Sequence, residues 1–458
     1  MDTCARISSQ RRFFQTGATK SVAFRRDRLR ALLDAVERRE SDLLDALHED
    51  LGKPRIEAWA SEIGHVAGEI RHALRHLGSW MRPQRHRASM IAWPSVAWEF
   101  PEPFGVALII GPWNYPAQLV LVPTVAAIAA GNCALLKPSE YAPCTSAVLG
   151  RLVEDTFDPD HLTVIQGGQE TAAAALRAKP DIVFFTGSTA VGRDVMQAAA
   201  AHLTPVILEL GGRSPCIVCA DAPMDVTARR IAWGKCLNAG QTCVAPNHVF
   251  VERRVMSAFV EKFKQALHGF YGDDALCSPD FGRIVNRRHF DRICALIDNS
   301  DVAFGGRRDP DALRIEPTVV IDPPRASPLM CEEIFGPVLP VIGFDTLDEV
   351  LERLQAEEPL ALYLFTRDRG TERRVLAATR SGGVCINDTI SHLLARDLPF
   401  GGIGASGMGR YHGKAGFDAF SHRRAIMRRR FFPDPAVRYP PIRTSLETLR
   451  RMMRWFGS

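Results

Sequence analysis

VALII (106–110), CALL (133–136), LTVI (162–165), DIVFF (181–185) and PVILEL (205–210) are five short apolar runs that decide the fold. Between them lie four Ala/Leu/Val-rich stretches of helix length, 117–130, 144–156, 169–178 and 190–202. Near-continuous apolar strands alternating with helices predict a doubly wound α/β unit, a five-stranded parallel sheet covered on both faces. Ligands in such a sheet bind beyond the carboxyl ends of the strands. The chemistry should therefore lie there.

Upstream of this unit the chain reads as helices. Leu29, Leu32, Leu33 and Val36, then Leu43, Leu44 and Leu47, recur at helical spacing with charges between them. Downstream, from Arg213 to about Leu393, a second α/β segment shows VFV (249–251), MSAFVEKFKQALHGF (256–270) and LALYLFT (360–366) as its clearest pieces. LPFGGIGASGMGRYHGKAGF (398–417) is glycine-rich and resembles neither a helix nor a simple strand. A basic tail closes the chain.

The 458 residues imply about three domain-sized units at ~150 residues each. A hydrophobic fraction of 46% excludes a disordered or fibrous chain. The balance of 57 Lys+Arg against 52 Asp+Glu, a net +5, is too slight for a nucleic-acid footprint. Eleven cysteines, an odd number at irregular spacing, point to a reducing cytosol. The start, MDTCARISSQRRFF, has no apolar core of a signal peptide. No residue from Pro103 to Leu136 is charged, a length that suits a membrane span. Gly105, Gly111-Pro112, Pro116, Pro123 and Gly131 interrupt it, so it reads as soluble core.

DIVFFTGSTAVGR (181–193) is a strand, a turn and a helix start. Gly187 lets the backbone turn and approach a ligand, Ser188 can cap the helix, and the stretch to Gly192 offers amides for a pyrophosphate. Gly402–Gly407 matches G-x-G-x-x-G letter for letter, but it opens no helix and lies far along the chain from the five-strand unit, so it is rejected. In LKPSE (136–140), Lys137 and Glu140 are an acid and a cation just past a strand. They suit ribose hydroxyls or a 2′-phosphate, or form only a solvated pair.

Cys243, in NAGQTCVAP, is the candidate nucleophile, bracketed in a loop by Gly240 and Pro246. Its thiolate can attack a carbonyl carbon once its pKa falls below the ~8.5 of a free thiol. Cys216 and Cys219 have C-x-x-C spacing, but in a strand their sulfurs point to opposite faces, and no second pair or His cluster accompanies them as a metal site. Glu209 lies between Leu208 and Leu210, and burial there would raise its pKa towards that of a useful base. Asn114, in GPWNYP, offers an amide for an oxyanion, or is only a turn asparagine.

GPWNYP, LKPSE, FTGSTAVG, LELGG, GQTC, EEIFGPV and LPFGGIGASGMGRYHGK, in this order, resemble the aldehyde dehydrogenase superfamily. WGKCLNAGQTCVAP and GRYHGKAGFDAFSH are most similar to its class 3 branch, and the resemblance runs from about Phe13 to Arg430. It implies oxidation of an aldehyde to the acid with NAD, NADP also being possible. Cys243 would be the nucleophile that forms a thiohemiacetal and then a thioester, Asn114 the oxyanion donor, and Glu209 the base that activates water. Lys137 and Glu140 would grip the adenosine ribose, with Gly187, Ser188 and Gly192 by the pyrophosphate, and Glu333 and Phe335 would position the nicotinamide ribose and ring. The implied domains are 1–84 with 107–209 for the cofactor, 210–394 for catalysis, and 85–106 with 395–430 as a bridge that forms a homodimer. Residues 431–458 are the tail.

A cysteine hydrolase would need no nucleotide site, a silent homologue should have lost Cys243, Glu209 or Asn114, and a CoA-acylating relative would not need the base. Trp113, Tyr115 and Trp233 near the catalytic segments suggest a hydrophobic aldehyde, aromatic or medium-to-long aliphatic. In the tail, Thr444 and Glu447 have capping-box spacing, and Leu446, Leu449, Met453 and Phe456 form one stripe beside Arg450, Arg451 and Arg454. Two roles fit this basic amphipathic helix: packing on its own dimer, or a lid over the aldehyde entrance, as C-terminal helices are in related fatty aldehyde enzymes, with contact to anionic lipid a further option for the lid.

Overall fold

The five runs fold as one parallel sheet in the order Val206–Leu210, Ile182–Gly187, Val106–Ile110, Cys133–Lys137, Leu162–Val164. The structure, a computed structural model, describes residues 3–89, 92–434, 438–442 and 444–456. From Val106–Ile110 the chain winds outward through two strands. It then crosses back to Ile182–Gly187 on the other side, and this reversal creates the crevice at the carboxyl ends where a ligand binds.

The charge-free stretch is core, as its breakers suggested. Every residue of the helix Gln118–Ala130 is buried, between the sheet and the helices Val22–Arg38 and Gly64–Trp80. The helices Thr3–Gln15, Gln169–Arg177 and Thr189–Ala200 cover the opposite face. Among the described residues no helix is long and apolar enough to cross a membrane, and no disulfide forms.

The second α/β segment builds a seven-stranded sheet in the order Val302–Phe304, Thr318–Ile321, Val338–Phe344, His248–Glu252, Pro215–Val218, Ala361–Phe365, Gly383–Ile386. All its strands run parallel except the edge strand Val302–Phe304. A third, antiparallel sheet of Gln84–His86, Ser95–Pro103 and Ser421–Arg429 projects Val96, Phe100 and Met427 into solvent.

Two expectations need correction. The glycine-rich stretch does not stay apart from the five-strand unit: Gly407–Met408 is a sixth, antiparallel strand on its edge, paired with Leu208 and Glu209. A Cβ at Gly407 (φ +148°) would lie 2.3 Å from the Leu208 carbonyl oxygen, so glycine permits this pairing. The stretch also contains the helix Gly413–Ala419. In the tail, the helix Leu446–Phe456 is capped by Ser445, whose hydroxyl accepts from the Thr448 N–H at 3.2 Å, and not by Thr444. Leu446, Leu449 and Met453 are exposed, while the side chain of Phe456 lies outside the described residues.

Candidate active site

The helix Thr189–Ala200 begins directly after the strand Ile182–Gly187, and the Ser188 hydroxyl caps it by accepting the Val191 N–H at 3.4 Å. With the Val191 N–H taken by this cap, the amides of Thr189 and Ala190 have no acceptor within the helix and suit an anion. Gly187 and Gly192 serve packing: a Cβ on Gly187 would lie 2.5 Å from the Phe185 ring, and one on Gly192 2.4 Å from Leu210. Small residues there let the helix settle close on the sheet. Across the crevice mouth, Lys137 ends its strand buried, and its ammonium meets the Glu140 carboxylate at 2.6 Å.

On the catalytic side, Glu333 accepts the Gly212 N–H at 3.2 Å, and a Cβ at Gly211 would lie 2.1 Å from its carboxylate. Phe335 holds a left-handed backbone (φ +49°), rare for a bulky residue, with its ring edge-on to Trp113 at 5.3 Å. An anion-binding helix end, an acid–cation pair at the neighbouring strand and a carboxylate cradle opposite fit a dinucleotide laid across the crevice. Ser188 with the Gly187–Gly192 turn, Lys137, Glu140, Glu333 and Phe335 would hold it.

Cys243 sits where the chain leaves three consecutive left-handed residues, Asn238 (φ +54°), Ala239 (φ +52°) and Gly240 (φ +77°). Only glycine suits the third position, because a Cβ there would lie 2.3 Å from the Gly336 carbonyl oxygen. The Gln241 side chain ties the loop down, donating to Asn238 and Arg283 carbonyls at 3.0 and 2.9 Å and accepting from the Val285 N–H at 3.0 Å. The Tyr363 hydroxyl donates to the Val244 carbonyl at 2.5 Å.

The expected fall in the Cys243 pKa is not what the fold produces. Burial, then the carboxylates of Glu333 and Glu209, push the thiol up to about 12, and the N–H groups of Cys243 and Val244 offset this only in part. A thiol raised in this way calls for a base to take its proton. Glu209 is buried, both its carboxylate oxygens lack a hydrogen-bond partner among the described residues, and burial raises its pKa well above the carboxyl range. Glu333, by burial, is raised to about 7.

Asn114 is buried in the loop between Val106–Ile110 and Gln118–Ala130. One amide hydrogen goes to the Gln241 carbonyl at 3.0 Å, which anchors it to the loop of Cys243 and leaves the second hydrogen to donate elsewhere. The Tyr115 hydroxyl meets Thr242 Oγ1 at 2.7 Å. Trp113 also packs on His289 at 5.1 Å, whereas Trp233 is exposed on the helix Met224–Cys236.

Sequence reading missed Lys235. It is buried one residue before Cys236, and burial lowers its ammonium to about 7 while the Glu333 charge works against that shift. A lysine in an otherwise small and apolar run, IAWGKCLNAG, was the available signal.

Comparison with known proteins bears on this geometry. The family model described as "Aldehyde dehydrogenase family" matches residues 2–426. The chain is 42% identical to aldehyde dehydrogenase family 3 member H1 of Arabidopsis thaliana, over 95% of this chain and 91% of that one. It is 43% identical to the dimeric NADP-preferring aldehyde dehydrogenase of Rattus norvegicus, over 95% and 97%. A substrate-bound Staphylococcus aureus AldH superposes with a TM-score of 0.96 at 41% identity, over 98% and 99%. On the family model, the identities and the superposition, the chain belongs to the aldehyde dehydrogenase family, oxidoreductases that work with NAD or NADP, and is similar to members of family 3.

Proposed function

We propose that this chain oxidises a hydrophobic aldehyde, aromatic or medium-to-long aliphatic, to the carboxylic acid. The observation that carries the reading is the pairing of a loop cysteine with an orphan buried carboxyl group: Glu209 has no partner for either oxygen among the described residues, and it lies close enough to Cys243 to raise the thiol when ionised. A buried acid without a partner is expensive in a purely structural role.

The Cys243 sulfur bonds to the aldehyde carbon as its proton leaves to a carboxylate, and the former carbonyl oxygen becomes an oxyanion. The free amide hydrogen of Asn114 donates to that oxygen. NAD or NADP, when bound, supplies the hydride acceptor for this chemistry. Glu209 then takes a proton from water as the water oxygen attacks the Cys243 thioester, and the thiol is regenerated as the acid leaves. Trp113 and its ring neighbours Phe335 and His289 give the approach an apolar wall.

NAD is the favoured cofactor. Glu140 can accept bonds from both ribose hydroxyls and repels a 2′-phosphate, and Lys137 softens that repulsion through its ion pair. The rat relative named NADP-preferring marks the alternative. A homodimer fits the apolar residues exposed on the bridging sheet and the word "dimeric" in that relative's name. The tail helix, its apolar stripe open in the single chain, is assigned to the same dimer rather than to a lid or a lipid surface. A cytoplasmic location is part of this proposal, resting on the odd number and irregular spacing of the cysteines. A panel of aldehydes of graded chain length against both cofactors, read at 340 nm, tests the assignment, and turnover confined to small polar aldehydes would refute the hydrophobic substrate.

A further inference from the structure

Asn114 lies in a loop without regular structure, so something other than helix or strand must hold its amide. Its main-chain carbonyl accepts two hydrogen bonds, from Lys53 Nζ at 2.9 Å and from Asn238 Nδ2 at 2.8 Å. Lys53 is fully buried, and so is its ion-pair partner Glu62, with Nζ and Oε1 2.5 Å apart. The second Glu62 oxygen accepts the N–H groups of Ala117 and Gln118 at 2.9 and 3.2 Å. The Lys53 ammonium also lies 3.9 Å from the centre of the Tyr115 ring. One cation and one anion thus grip residues 114–118 from end to end.

Both groups come from a short segment outside the two parallel sheets. Lys53 follows the helix Glu40–Leu51, and Glu62 stands in a π-helical turn, Trp59–Ile63, a feature frequent at functional sites. From the same segment Glu57 accepts the Asn238 N–H at 2.9 Å, at the start of the left-handed run that leads to Cys243. The segment therefore touches both the donor loop and the nucleophile loop. A fully buried ion pair gives little stability over an apolar pair of equal volume. What it provides here is direction: Lys53 donates to Glu62, to Asn114 and against the Tyr115 ring.

We propose that Lys53, fixed by Glu62, is a positioning residue that aims the Asn114 amide at the developing oxyanion. This rests on the reading of Asn114 as that donor. Loss of an oxyanion donor slows such reactions by about 10²–10³, and misplacement by about 1 Å has an effect of about 10². The test uses the full chain as wild type, Asn114→Ala, Lys53→Met and Lys53→Met/Glu62→Gln, the double variant leaving no unpaired charge if the single one fails to fold. Three quantities are read: the burst rate constant for reduced cofactor, the rate of Cys243 alkylation by iodoacetamide, and NAD+ affinity without aldehyde.

Alkylation needs the sulfur but forms no oxyanion, so it separates aim from collapse. The expected result is a burst slowed about 10²-fold in the Lys53 variants, with alkylation and NAD+ affinity within about twofold of wild type. Adding the double change to Asn114→Ala should slow the burst little further. A burst within threefold of wild type in the Lys53 variants, or alkylation and affinity falling in step with it, overturns the proposal. An unchanged burst in Asn114→Ala refutes the oxyanion reading itself. A slowed Asn114→Ala beside unaffected Lys53 variants refutes only the role of Lys53.

Discussion

Glu62 and Glu209 are both shut away from solvent, at 0% and 2% exposure, yet their surroundings are opposites. Glu62 receives an ammonium and two backbone N–H groups, so both oxygens are engaged. Glu209 receives no hydrogen bond from the described residues: its strand neighbours Thr186 and Gly407 lie beside it in register, and both its oxygens are orphaned. The Glu62 region is a satisfied network, and such networks rigidify. The Glu209 region is an unsatisfied one, the environment expected of the proton-moving group proposed above. The difference separates scaffold from chemistry in one site without reference to any substrate.

The most drastic way to test that division is Cys243→Ala. Turnover should fall below a hundredth of wild type while equilibrium NAD+ binding is unchanged, because the covalent step is lost and the crevice is untouched. Turnover above that level would remove the chemistry from this region altogether.

Glu209→Gln should keep a burst of reduced cofactor and lower the steady rate by about 10²–10⁴, since only thioester hydrolysis loses its base. Burst and steady rates that fall together would give Glu209 the thiol proton instead. The same variant should gain stability relative to wild type as pH rises. The folded wild type holds the Glu209 proton well above the pH at which the unfolded chain releases it. Stability is therefore lost as pH climbs from the ordinary carboxyl range through the raised folded pKa, and glutamine carries no such loss. The difference in melting temperature, variant minus wild type, should widen from pH 5 to pH 9, and a constant difference would mean that Glu209 is not desolvated in solution.

Glu62→Gln should behave with the opposite sign. It strands the buried Lys53 ammonium and should destabilise by about 3–5 kcal/mol in denaturant unfolding. If it were as stable as wild type, the contrast between the two acids would collapse.

Smaller effects are expected at the rim. Glu140→Gln should narrow the ratio of kcat/KM between NAD+ and NADP+ by a few-fold, because the repulsion of a 2′-phosphate is relieved in a half-exposed, screened setting. An unchanged ratio would place ribose reading elsewhere. Truncation after Pro441 should leave kcat/KM for short and long aldehydes alike, with a change confined to dimer stability. A selective change for long aldehydes would make the tail a lid.

How much of this was legible residue by residue follows from what local pattern can encode. The apolar runs announced a parallel sheet because strands covered on both faces carry apolar side chains on both. Glu209 announced itself because an acid between two leucines has no solvated face in such a strand. The glycine-rich edge strand did not, since a two-residue pairing with Leu208 and Glu209 leaves no period to read. Nor did the state of Cys243. Its thiol is raised by burial and then by Glu333 and Glu209, 90 and 34 positions away along the chain, and no property of NAGQTCVAP carries that information.

By itself, then, the amino-acid order determined the five parallel strands, the loop around Cys243, the acid between Leu208 and Leu210 and the strand–turn–helix at Gly187, all of which are set within a dozen neighbouring residues. Only the tertiary structure decided that Lys53 and Glu62 bind each other and Asn114, 61 positions beyond the lysine. Lys53 and Glu62 each read as an ordinary surface charge in sequence, because burial of a charge is a property of what folds over it. The helices and loops that exclude water from this pair also make its hydrogen bonds strong enough to hold a loop in place.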